Sequence, residues 1–161
     1  MKYELVEPTL SMMRKVYELI MSEAAEYKLL PRALSDLYEH VHDFTVAIDT
    51  ETGEIIGCAA LHIVWEDLGE IRSLTIAEGH KDMGIGKRLV EACAKDARAL
   101  GIKRIFALTY VPKFFIKCGF EKIEKEKLPH KIWSVCINCP KFPDCDEQAV
   151  ELTLEEKPTE Q

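Results

Sequence analysis

The sequence predicts an α+β sandwich, one domain around a single mixed sheet. Three observations predict it. Between residues 44 and 76, three apolar, β-branched runs are separated by links of hairpin length, which makes an antiparallel meander. An amphipathic stretch over 85–100 lies between two segments of strand character, and a strand–helix–strand connection of that kind is a parallel crossover. A helical region near the start of the chain supplies a second element to pack on the sheet.

Taken in order, Tyr3-Glu4-Leu5-Val6-Glu7 alternates polar and apolar residues, as a half-buried strand does. Pro8 and Thr9 open a helix expected to reach about Glu23, with Leu10, Met13, Val16, Tyr17 and Ile20 at helical spacing. Residues 27–42 read as a less regular helical segment, interrupted at Pro31, which has no backbone N–H to give. Phe44–Ile48 and Ile55–Val64 read as strands joined through a turn at Thr52-Gly53. Glu66-Asp67-Leu68-Gly69 turns the chain into a third strand, Glu70–Ile76. A loop over 79–86 leads to a helix from about Ile85 to Leu100, with Ile85, Leu89, Cys93, Ala97 and Leu100 in one stripe and Gly101 as its stop. Arg104–Thr109 is a strand, Pro112–Lys117 a short helix, Glu121–Glu124 a short strand and Ala149–Leu154 the last strand. The charged tail, 155–161, is expected to fray, which leaves 1–154 as the domain.

Composition narrows the function classes. A chain of 161 residues fits one domain. With 47% hydrophobic and 30% charged residues it has the balance of a folded globular protein, not of a disordered one. Lys and Arg number 21 against 28 Asp and Glu, a formal net charge of −7, which disfavours a general nucleic-acid binder. No apolar run reaches the roughly 18 residues of a membrane span, and the first residues lack the apolar core of a secretory signal. A cytoplasmic location with reduced thiols is the resulting expectation.

The strongest chemical signal is Glu70-Ile-Arg-Ser-Leu-Thr-Ile76 followed by Lys81-Asp82-Met83-Gly84-Ile85-Gly86-Lys87 at the start of a helix. Two glycines permit close backbone approach to a ligand, and the first helical N–H groups lack internal partners. With the helix dipole they make an anion site suited to a pyrophosphate, to which Lys81 and Lys87 add charge. Gly-x-Gly alone lacks the third glycine of the dinucleotide fingerprint and the Gly-Lys-Ser/Thr ending of a P-loop. An ordinary flexible helix start fits these residues equally well.

The same segment resembles the Gln/Arg-x-x-Gly-x-Gly/Ala motif of the GNAT acetyltransferases, with Lys81 in place of the usual Arg or Gln. Phe114-Phe115-Ile116-Lys117-Cys118-Gly119-Phe120 is similar to a later motif of that family, often Phe-Tyr-x-x-x-Gly-Phe. The resemblance spans roughly residues 3–125 and implies a GNAT-like sheet with helices on both faces and acetyl-CoA as co-substrate. It implies that the backbone of Leu74, Thr75 and Ile76 pairs with the pantetheine arm. It implies also that Lys81, Asp82, Met83, Gly84, Ile85, Gly86 and Lys87 hold the pyrophosphate. Glu70 stands where several members place a general base. An amine of pKa about 10 must lose a proton before attack, so a base is chemically required; apart from the resemblance, Glu70 reads as a solvated carboxylate at a strand end. Phe115 stands where many members carry the tyrosine that protonates the departing thiolate. A thiol of pKa about 8.5 leaves tolerably without such an acid, and Tyr110 is the alternative donor.

Gly57-Cys58-Ala59-Ala60-Leu61, Gly69–Ile76, Leu108-Thr109 and the later motif together resemble the acetyltransferase domain of bacterial N-acetylglutamate synthases. The chain looks like a short, stand-alone form without the amino-acid-kinase domain of the usual enzyme, and the resemblance implies L-glutamate as the small-molecule acceptor, in the first step of arginine biosynthesis. Leu29-Leu30-Pro31-Arg32 resembles the stretch that supplies a substrate-binding arginine there. Two carboxylates on the acceptor demand cations, preferably arginine. Arg32 is one candidate; Arg72, with the strand parity of Glu70, is the other. Lys113 and Lys131 fit surface cations better. Another amine as acceptor, or a non-catalytic acyl-CoA sensor, are the competing readings, and a homodimer is compatible with the family.

Three of the six cysteines fall between 130 and 147: Cys136 and Cys139, as Cys-x-x-Cys, and Cys145, with His130 before them. A Cys₃His zinc site is one reading of this loop; reduced packing thiols and a redox switch are the others. Cys58, Cys93 and Cys118 lie in apolar patterns and read as core.

Overall fold

A computed structural model describes residues 2–27, 32–128 and 148–154. Its strands are β1 (Tyr3–Val6), β2 (Phe44–Asp49), β3 (Ile55–Trp65), β4 (Leu68–Ile76), β5 (Arg104–Thr109), β6 (Glu121–Ile123) and β7 (Gln148–Thr153). They form one sheet in the order β1-β2-β3-β4-β5-β7-β6. The first four are antiparallel neighbours, β4 and β5 are parallel, and β7 runs antiparallel to both β5 and β6. The helices are α1 (Met13–Tyr27), α2 (Leu34–Glu39), α3 (Ile85–Ala99) and α4 (Pro112–Lys117). The expected meander and crossover are therefore both present.

The boundaries shift for local reasons. Thr9 is extended and the chain enters α1 through a 3₁₀ turn at Leu10–Met12, closed by a bond from Met12 N to Thr9 O. At its other end α1 continues past Glu23 through Ala24-Ala25-Glu26, good helix formers all. Of the irregular segment 27–42, α2 and a 3₁₀ turn at Val41–Asp43 are described, and residues 28–31 lie outside the described residues. The turn expected over 66–69 shrinks to Glu66-Asp67, because Leu68 and Gly69 join the ladder opposite Trp65 and Ile63. Gly69 fits there because a Cβ would sit 3.0 Å from a Leu61 methyl.

Leu100 does not belong to the buried stripe of α3; it is 65% exposed. Gly101, at φ +82°, turns the chain left-handed. Gly101 N then bonds Arg98 O and Ile102 N bonds Ala97 O, which is a Schellman termination. Ile102 is buried in place of Leu100, and Val90 and Ala94 widen the stripe.

Alternation along the strands builds a core on each face. Toward α3 lie Ile56, Ala59, Leu61, Ile71, Ile105, Ala107 and Val150 with Ile85, Leu89 and Cys93. Toward α1 and α2 lie Phe44, Val46, Cys58 and Ala60 with Met13, Val16, Ile20 and Leu37. Cys58 and Cys93 are core residues as expected, and Cys118 is half-buried against the α3-side core. Burial pushes the Cys58 and Cys93 thiols up to about 12. Both should resist iodoacetamide in the native protein at pH 8, and peptide mapping should find them labelled only after denaturation. Native labelling of Cys58 at the rate of Cys118 would contradict this burial. The linkage has a definite sign. A thiol ionising near 9 when unfolded and near 12 when folded favours the unfolded state as pH rises through that window. No described helix is long and apolar enough to cross a membrane.

Candidate active site

The site is set by a fork in the sheet. The parallel ladder between β4 and β5 has three pairs, Leu68 with Arg104, Gly69 with Ile105 and Glu70 with Phe106. Beyond Glu70, β4 stays with β3 as far as Ile76, whereas β5 stays with β7 as far as Thr109. Among the described residues, the β5-facing side of Ile71–Ile76 thus has no strand partner. Free N–H and C=O groups on such an edge can pair with an extended ligand.

Glu70 stands at the apex. It is 7% exposed, which rules out a solvated strand-end carboxylate. The register aligns His62, Glu70 and Phe106 across the sheet. Arg72 Nε donates to Glu70 Oε1 at 2.5 Å, so the two residues share a face, as their parity predicts. That parity then breaks. Cys58 pairs with Thr75 but Ala60 with Arg72, so β4 carries one extra residue opposite Ala59. Ser73, at φ +57°, absorbs the bulge, and its carbonyl accepts from Thr75 Oγ1 at 3.1 Å and from the Cys58 thiol at 3.3 Å. Leu74 and Ile76 consequently pack on the α3 side, while Glu70 and Arg72 face the other.

Arg32 reaches the same face from the segment before α2. Its Nη1 donates to Ser73 Oγ at 3.0 Å, its Nε to Asp36 Oδ2 at 2.7 Å, and its guanidinium lies 5.3 Å from the Phe44 ring centroid. Burial alone would raise the pKa of Asp36. The hydrogen bond and charge of Arg32, with the charges of His40 and Arg72, outweigh it and hold the carboxyl below its ordinary value. The two arginines inferred for the acceptor are therefore grouped around one end of the fork. Asp36 was not singled out from the sequence, although its i+4 spacing from Arg32 was a signal that could have found it; Ser73 carried none.

The loop over 79–87 has its own geometry. Gly79, Asp82 and Gly84 are left-handed, at φ +84°, +65° and +79°, and Gly84 caps α3 with its side exposed. The bond from Arg88 N to Gly84 O starts the helix, so the N–H groups of Ile85, Gly86 and Lys87 precede the intrahelical ladder. Lys87 is exposed in that first turn. Lys81 is placed otherwise than as a simple phosphate cation: its Nζ lies 3.0 Å from Oε2 of the buried Glu23 and 3.4 Å from Glu78. Glu23 lies on α1, and its role was not foreseen. Asp82 and Met83 are exposed on the rim.

Packing also favours a glycine at position 86. A Cβ there would meet the Phe114 ring at 3.1 Å. Phe114 packs edge-on to Phe115, and Phe115 to Phe120, which joins the later motif to the start of α3. Gly86→Ala should cost about 1–3 kcal/mol by overpacking, or a few degrees of Tm in a domain this size. An unchanged Tm would show that Phe114 moves aside freely. Phe115 is buried and packs; Tyr110 is half-buried just beyond β5. Lys113 is exposed on α4. His130, Lys131, Cys136, Cys139 and Cys145 lie outside the described residues, as does the tail.

Comparison with known proteins agrees with this geometry. A profile of the Acetyltransferase (GNAT) family matches residues 12–120. An uncharacterized N-acetyltransferase of Chlorobaculum tepidum is 41% identical over 131 residues, 81% of this chain and 83% of that protein. An amino-acid acetyltransferase of Mycobacterium tuberculosis is 41% identical over 97 residues, 60% of this chain and 56% of that protein, so the match spans little more than half of that relative. Among solved structures, a Mycobacterium tuberculosis protein in complex with CoA superposes with a TM-score of 0.80 at 28% identity, covering 94% of this chain and 99% of that one. N-acetylglutamate synthase from Neisseria gonorrhoeae, complexed with coenzyme A and N-acetyl-glutamate, superposes with a TM-score of 0.86. At 24% identity, over 96% of this chain and 36% of that one, this is a likeness of fold. Matched by the profile over most of its length, and with a relative 41% identical across 81% of it, the chain belongs to the GNAT family of acetyltransferases.

Proposed function

We propose that this chain transfers the acetyl group of acetyl-CoA to the α-amine of L-glutamate, the reaction that opens arginine biosynthesis. The observation that carries the reading is the grouping at the fork: Glu70 at its apex, Arg72 hydrogen-bonded to Glu70, and Arg32 anchored on Ser73. A carboxylate can take a proton from an ammonium, and two guanidinium groups suit an acceptor with two carboxylates. The relatives that are amino-acid acetyltransferases and the fold shared with an N-acetylglutamate synthase support the same acceptor.

The chemistry is a direct transfer. Acetyl-CoA lies along the freed edge of β4, with its pantetheine arm on the backbone of Leu74, Thr75 and Ile76. Its pyrophosphate rests on the 81–87 loop, at the N–H groups that open α3. Glu70, directly or through one water, removes a proton from the glutamate ammonium. The nitrogen lone pair then bonds to the thioester carbonyl carbon, and the oxyanion that forms is stabilised by backbone N–H groups of β4. The C–S bond breaks as the attacking nitrogen gives up its second proton to water, and the departing thiolate takes up a proton from water in turn, so that the net release is the one proton held by Glu70. Cys58 and Cys93 are buried, with thiols pushed up to about 12, and offer no thiolate for a covalent acyl-enzyme.

The test is an acceptor panel: thiol release from acetyl-CoA, with mass identification of the product, for L-glutamate, other amino acids, spermidine and a peptide N-terminus. N-acetylglutamate as the main product is the expected result. Turnover with spermidine or the peptide but not with glutamate would remove the acceptor assignment. CoA binding with no turnover on any amine would favour a non-catalytic acyl-CoA sensor.

A further inference from the structure

We infer that His40, Asp43 and His62 form a site for one divalent transition-metal ion, Zn²⁺ by its donor set, beside the acceptor end of the fork. The three residues come from separate places in the chain: the C-terminal end of α2, the turn before β2, and the middle of β3. One ligand atom from each lies within 4.8 Å of the other two.

The distances suit a shared ion better than a direct bond. His62 Nδ1 is 3.6 Å from Asp43 Oδ2, too long for a hydrogen bond. Two ligands each about 2.0–2.1 Å from one tetrahedral ion stand about 3.3 Å apart. The His40 and His62 rings have centroids 5.8 Å apart and are tilted by 59°, so they do not stack face to face.

The surroundings of His40 fix its tautomer. Its Nδ1 lies 2.9 Å from the backbone oxygen of Asp36 and 3.0 Å from Asp36 Oδ1. A carbonyl oxygen only accepts, so Nδ1 carries the proton, and a neutral imidazole then presents its lone pair at Nε2. A histidine held by a carboxylate through one nitrogen and free at the other is the usual arrangement of a metal ligand. Asp36 is in turn pinned by Arg32. Asp36, Glu39 and His40 also approach one another. That group has one imidazole, an exposed Glu39 and an Asp36 already engaged, so it is the poorer site. Two imidazoles and one carboxylate suit Zn²⁺ with its fourth position left to water or to a ligand carboxylate. All three side chains are half-buried, reachable by an ion from solvent. His62 is the ladder partner of Glu70, which places the site beside the apex of the fork.

The test is titration of the chelator-treated full chain with Zn²⁺ by calorimetry, and with Co²⁺ followed by absorption and amide NMR. One equivalent of Zn²⁺ should bind, with affinity reduced at least about tenfold in His62→Ala and in Asp43→Asn. It should persist in Cys136→Ser. Co²⁺ should perturb amide signals of residues 40–44 and 61–63 first in the unaltered chain, which needs no variant to fold. It should do so without the near-ultraviolet charge-transfer band that a thiolate ligand gives. Unchanged affinity in both variants, or perturbation centred elsewhere, overturns the proposal.

Discussion

Glu70→Gln should lower kcat by about 10²–10⁴ while leaving the KM for acetyl-CoA nearly unchanged. The substitution is close to isosteric, and the amide oxygen can still accept from Arg72 Nε, so the side chain keeps its place at the apex. What it loses is the ability to take a proton. At neutral pH an amine of pKa about 10 is almost wholly protonated, so the variant depends on the small free-amine fraction. The residual rate should therefore climb with pH toward the pKa of the amine, more steeply than that of the unaltered enzyme. A structural role would show as an equal loss at every pH, with a lower Tm. Equal activity in the variant removes Glu70 as the base.

Arg32→Ala should raise the KM for glutamate by about 10–100-fold with a smaller change in kcat. This is the equivalent of about 1.5–3 kcal/mol for charge-assisted hydrogen bonds to one carboxylate. The residue also packs over Phe44 and holds Asp36, so thermal unfolding should accompany the kinetics. Asp36→Asn is the control. It removes the carboxylate that Arg32 now binds without removing the guanidinium, and the KM should fall or hold where Arg32→Ala raises it. Arg32→Lys should rescue only in part, because an ammonium cannot offer the planar fork of donors. An unchanged glutamate KM in Arg32→Ala sinks the assignment.

The sheet was legible because its information is local. The apolar runs Phe44–Ile48 and Ile55–Val64, the turn at Gly53 and the Gly101 stop each act within a few residues of where they are read. The exit of Leu100 from the stripe follows from the same Gly101, read one residue further. Placing β7 between β5 and β6 was beyond the sequence, because the pairing joins segments far apart and nothing local encodes it. In the site, Glu70 and Arg72 were paired correctly because the bulge lies after Arg72. One residue earlier it would have sent them to opposite faces. Glu23 was missed for the opposite reason. A carboxylate on an N-terminal helix carries no mark that it will meet Lys81, 58 residues on. Gly86 was read as making room for a ligand, and its packing against Phe114 was not foreseen; a glycine at a helix start looks the same in either case.

The most direct test of the account is the ratio of kcat/KM for L-glutamate over L-glutamine. The two differ in one carboxylate and almost nothing in shape, so the ratio isolates the charge that Arg32 and Arg72 are held to recognise. The account predicts a preference for glutamate of about 10–100-fold, the worth of one charge-assisted contact. A ratio at or below one would contradict it and point the fork at a neutral side chain.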